Sequence, residues 1–81
     1  MNKTEKLINI YQKQVDAIPE ERPLVTLACE TMLLILKHLE ANHTPNDDYN
    51  FMFREATKAA RGNANPTMIS TAITLWKNSK E

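Results

Sequence analysis

Two histidines and a glutamate crowd into one short segment, KHLEANH at residues 37–43, downstream of a lone cysteine in ACETMLLIL. Imidazole, thiol and carboxylate are the groups that hold zinc or move protons, so their spacing decides what they can do. A zinc-protease helix places its histidines four apart, on one face, where both reach one metal. His38 and His43 are five apart, about 140° around a helix. They can share a metal only if the helix ends between them, and Glu40 is misplaced for a general base. His38 falls on the edge of an apolar face and is expected to be hydrogen-bonded and partly buried. His43 is expected in a loop. No metal site follows.

Nucleophilic chemistry has no better footing. Cys29 sits in mid-helix between Ala28 and Glu30, without the positive surroundings that lower a thiol's pKa, and reads as a small apolar residue. Asp47 and Asp48 are adjacent, so they point apart. No glycine-rich loop is present to cradle a phosphate, and no cofactor is implied. The chain is not expected to be an enzyme.

One pattern does suggest a surface. Arg54, Lys58 and Arg61 are spaced four and three apart, a basic stripe down one side of a helix, and Phe51 projects near the same side. A cationic stripe beside an exposed aromatic suits a partner-binding surface, and these four residues are the candidates for one. The plainer alternative is a solvated face with Phe51 folded beneath the preceding loop. DNA reading is not favoured. The outer face of the last helix offers mainly Ser70, Thr71, Thr74, Lys77 and Asn78, GNANP is long for a helix-turn-helix, and net charge is zero.

The elements that carry these residues follow from punctuation and periodicity. Gly62 is the one glycine, and prolines stand at 19, 23, 45 and 66, cutting the chain into four apolar-periodic pieces. The first helix is predicted over residues 3–17, with Leu7, Ile8, Tyr11, Val15 and Ile18 in one stripe, stopped by Pro19. The second is predicted over 23–42. Its Leu24, Leu27, Ala28, Met32, Leu34, Ile35, Leu36 and Leu39 span an arc of about 200°, which needs more than one neighbour. Leu33 falls inside the wet strip of Thr26, Glu30, Lys37 and Glu40.

The third helix is predicted over 45–61, capped by Thr44, with Tyr49, Met52, Phe53, Ala56, Ala59 and Ala60 on one face. Gly62 or Asn63 should end it. The fourth is predicted over 66–79, capped by Asn65, with Met68, Ile69, Ala72, Ile73, Leu75 and Trp76 inward. Short connections between four helices imply an all-α, antiparallel up-down four-helix bundle, one domain over residues 1–81.

Composition agrees with a soluble domain. Hydrophobic residues make up 42% and charged residues 25%, and ten basic residues balance ten acidic ones, so nothing draws the chain to nucleic acid or anionic lipid. A single cysteine forbids an internal disulfide and fits a reducing compartment. The start, MNKTEKLINIYQKQ, lacks the apolar run of a signal peptide, and no segment is long enough to span a bilayer. A cytoplasmic location is expected.

The sequence of elements resembles the small immunity proteins of lactic acid bacteria, which protect a producer from its own pediocin-like (enterocin A type) bacteriocin. The similarity runs through LINIYQKQVD, the acid-rich PEERPLV junction, the long LVTLACETMLLILKHLEANH helix, a third amphipathic helix, and a fourth opening at NPTMISTAITLW. It implies an antiparallel four-helix bundle inside the cell. It also implies recognition of a bacteriocin-occupied sugar-transporter receptor at the membrane, with much of the specificity in the carboxy-terminal half. This chain ends soon after Trp76, in KNSKE, where the family carries a longer tail, so tail-dependent specificity is not expected here. The family has no short motif through which functional residues would carry over. A second class of function fits the same pattern: a small regulatory or phage-type module that binds nucleic acid or another protein. Leu33 on the wet strip would then mark a homodimer surface.

Overall fold

Short polar side chains open three of the helices. In the computed structural model, which describes residues 2–18, 23–42 and 48–80, helix α1 (Lys3–Ala17) is capped by Asn2, whose side-chain oxygen accepts from the Glu5 N–H at 2.8 Å. Helix α3 (Tyr49–Ala60) is capped by Asp48, which accepts from the Phe51 N–H at 2.7 Å. Helix α4 (Pro66–Ser79) is capped by Asn65, which accepts from the Met68 N–H at 2.8 Å. Each cap satisfies a donor that the first helical turn leaves without a partner. Helix α2 (Pro23–Asn42) starts on proline, whose fixed φ and missing N–H suit the first turn. At the other end of α1, Ile18 is extended, with ψ 130°, as the residue before a proline should be.

The described residues are all-helical, without a strand. The expected extents of three helices agree with α1, α2 and α4, and that of α3 does not. It begins at Tyr49, not at 45, because Asp48 is extended (φ −93°, ψ 172°) and serves as the cap. The proposed cap Thr44 and first residue Pro45 lie outside the described residues, as do Glu20, Glu21, His43 and Asp47.

The core gathers on the second half of α2. Ile35, Leu36, Met52, Ala56, Ala72 and Ile73 are 0–2% exposed, and Met32, Leu39, Ala60, Ile69 and Trp76 complete the cluster. Helix α2 touches all three other helices, whereas α1 and α3 do not meet. Helix α1 contributes one fully buried residue, Thr4, and lays Leu7, Ile8 and Tyr11 against the cluster edge.

Two expectations for α2 need correction. Leu33 is buried, at 7% exposure, so it marks no dimer surface, while Leu24, Leu27 and Leu34 are 80%, 40% and 49% exposed. Ala28 is exposed as well, and no residue from 23 to 30 is buried. Helical periodicity gives the width of the apolar arc but not where neighbours end. Hydrogen bonds join α3 and α4 to α2 near its end: His38 to Glu55 and Glu40 to Trp76. At the end of the first two turns of α2, Cys29 Sγ lies 3.9 Å from Gln14 Oε1 of α1.

Polar bonds tie the last turn of α4 into place. Ser79 Oγ donates to the Trp76 carbonyl at 2.6 Å. That uses its single proton, so Thr4 Oγ1 is the donor in the 2.8 Å bond between the two hydroxyls. Trp76 Nε1 donates to Glu40 Oε2 at 3.0 Å. Lys80 pairs with the same carboxylate and lies 5.0 Å from the Trp76 ring centroid, within cation–π range.

The contrast along α2 is testable. Leu36→Ala should lower unfolding free energy by about 2–5 kcal/mol, and Leu24→Ala by less than about 0.5 kcal/mol, measured by urea denaturation. Equal losses would mean that the start of α2 is covered in solution.

A basic groove between α2 and α3

Helices meet along their contact lines and part at their flanks, and the flank between α2 and α3 holds a shallow groove. It is lined by Leu34, Lys37, His38, Ala41 and Asn42 of α2, and by Lys58, Ala59 and Arg61 at the end of α3, around a volume of about 420 Å³. On α2 the positions 34, 37, 38 and 41 share one face by helical spacing. Lys58 stands in the last turn of α3, and Arg61 is the residue that ends it.

Arg61 reaches the groove from an unusual backbone. It ends α3 in the left-handed conformation, φ 51° and ψ 39°, with its N–H on the Lys58 carbonyl at 3.3 Å. The expected terminator, Gly62, follows at φ 81°, so the left-handed turn begins one residue earlier than expected. A side chain with a Cβ pays about 1–2 kcal/mol for that geometry.

Charge in the groove is one-sided. Among the described residues, none that lines it is acidic. The nearby Glu55 side chain, 17% exposed, is committed on both oxygens: Oε2 lies 3.0 Å from Lys58 Nζ and Oε1 lies 3.4 Å from His38 Nε2. Lys58 holds its carboxyl below the ordinary value of 4.5 over the opposing effect of burial, and His38 adds to the lowering. Asn42 Nδ2 donates to the His38 carbonyl at 2.8 Å and lies 3.2 Å from His38 Nδ1. An amide NH₂ can only donate, so Nδ1 accepts and Nε2 carries the proton toward Glu55. His38 is thus half-buried and hydrogen-bonded, as its place on the helix predicted. Lys37 and Arg61 have no ion-pair partner among the described residues.

The structure divides the stripe proposed from sequence. Lys58 and Arg61 line the groove; Arg54 is exposed elsewhere on α3, and Phe51 is half-buried. Lys37 and Leu34, which face the two groove cations, were not among the candidates. They lie on another helix, more than twenty positions away, and no local spacing links them.

The chain matches no family model, no curated protein and no solved structure. Among the described residues, no group of three histidine, cysteine or acidic side chains converges on a point that would hold a metal. No helix among them is long and apolar enough to cross a membrane. What the groove offers chemically is positive charge over a partly apolar floor.

Two measurements test this geometry. Because Glu55 titrates below its ordinary value, its contribution to stability is complete above pH 4.5 and is lost as pH falls through the lowered value. Glu55→Gln should therefore flatten the acid limb of the stability–pH curve, and an unchanged limb would contradict the pairing. Arg61→Gly should raise stability by about 0.5–1 kcal/mol, since relief of left-handed strain exceeds glycine's extra unfolded-state freedom. A loss of stability in thermal melts would show that the turn is not strained.

Proposed function

We propose that this chain acts by binding a protein partner, without catalysis, and that the α2–α3 groove is part of the surface it uses. The observation that carries this reading is the concentration of Lys37, Lys58 and Arg61 around one groove in a chain whose net charge is zero. Lys37 and Arg61, which have no ion-pair partner among the described residues, join Lys58 on this surface, and cations gathered in this way steer and orient an oppositely charged partner.

The specific form of the proposal is an immunity protein acting in the cytoplasm against a pediocin-like bacteriocin. Support comes from the resemblance described above and from four helices in the expected order. An antiparallel up-down arrangement belongs to this reading, and so does a partner consisting of the bacteriocin with its membrane receptor. The groove draws on α3, in the carboxy-terminal half to which the resemblance assigns much of the specificity.

A homodimeric regulatory module is the second reading. Its support has moved from Leu33, which is buried, to Leu24, Val25 and Leu27, exposed together at the start of α2.

Expression in a bacteriocin-sensitive strain, challenged with a panel of pediocin-like peptides, should give protection against one peptide and not the rest. Combined substitution of Lys37, Lys58 and Arg61 by alanine should abolish that protection at equal protein abundance. Unchanged killing by every peptide would end the immunity role, and a dimer in sedimentation would then favour the second reading.

A further inference from the structure

We infer that the α2–α3 groove is a receptor for an oxyanion carried on an apolar group, in which Lys37, Lys58 and Arg61 hold the carboxylate or phosphate and Leu34, Ala41 and Ala59 receive the apolar part. This deepens the binding role proposed above and rests on it.

The anion follows from where the charges are left. Glu55 engages Lys58 and His38 with separate oxygens, and Lys37 and Arg61, which also line the groove, have no ion-pair partner among the described residues. Lys37 comes from α2 and Arg61 from the end of α3, so a ligand between them is held from two elements. A guanidinium presents a planar fork of donors that matches the two oxygens of a carboxylate or phosphate, and the lysine adds a mobile charge. Arg61 is also the one non-glycine residue with positive φ among those described. The left-handed backbone falls at a residue whose side chain lines the groove, although Gly62 stands next to it. Strain of this kind gathers at ligand sites.

The apolar part follows from the floor. Leu34 is 49% exposed and lies among the cations with Ala41 and Ala59. An inorganic ion would use the charges and leave this surface wet. An anion with a branched or short linear hydrocarbon group covers both. A volume of about 420 Å³ falls within the range for small-molecule sites, on the order of 300–1,000 Å³. The two bonds on the His38 ring fix its plane at the back of the site.

Three probes separate the components: N-acetyl-leucine, its uncharged amide N-acetyl-leucinamide, and hexyl phosphate. Each is titrated into the isotopically labelled full chain while backbone amide resonances are followed. The two anions should shift residues 34–42 and 58–62 saturably, and the amide should bind at least tenfold more weakly. Tighter binding of N-acetyl-leucine would identify a carboxylate site, and tighter binding of hexyl phosphate a phosphate site. Lys37→Ala and Arg61→Gly should each weaken the preferred anion about tenfold. Arg61→Gly keeps a backbone-compatible residue at that turn, so lost binding there reports the guanidinium and not misfolding. No saturable shift with either anion, equal binding of the amide, or unchanged affinity in Arg61→Gly would overturn the inference. A null titration with protection intact in the killing assay would remove the oxyanion and leave the partner-binding role. Saturable binding without protection would do the reverse.

Discussion

Burial of residues 31–39 of α2 between three other helices is the constraint on which everything else depends. Helix α2 meets α1, α3 and α4, and it supplies Ile35 and Leu36, both wholly buried. With one thin core, a chain of this size has little stability to spare. The groove is a by-product of the same packing: its α2 wall, from Leu34 to Asn42, is the unburied flank of the segment whose opposite side is the core.

Local chemistry announces itself in sequence, and tertiary choice does not. Asn65 before Pro66, and Pro19 after Ile18, act on their immediate neighbours by hydrogen bonding and steric exclusion, so the ends of helices that they set are legible in the sequence. Helix α3 exposes the limit of that logic. Thr44 before Pro45 and Asp48 before Tyr49 are both sound helix openings, and nothing in either pair ranks them. The same limit explains Leu33 and Leu34. They are 100° apart on any helix, and an arc drawn from apolar character alone cannot say which one a neighbouring helix will cover.

The site divides along the same line. Lys58 and Arg61 could be found because their spacing is helical and lies within one element. Lys37 could not, because its relation to them exists only after α2 and α3 dock. His38 shows a third case: its histidine type drew attention for chemistry, and its role is to bridge helices through Glu55 and Asn42. Polar residues at helix–helix seams are read most easily as active groups and most often serve as connectors, because a half-buried ring nitrogen must find a partner somewhere.

The bond between Thr4 and Ser79 joins residues 75 positions apart, one near each extremity of the chain. Any segment attached ahead of Asn2 and any segment attached after Lys80 would therefore leave the molecule from the same corner. Seen from outside, the domain behaves like a loop on a stem: a neighbour on either side, or on both, is held at one point of its surface while the rest of that surface turns outward.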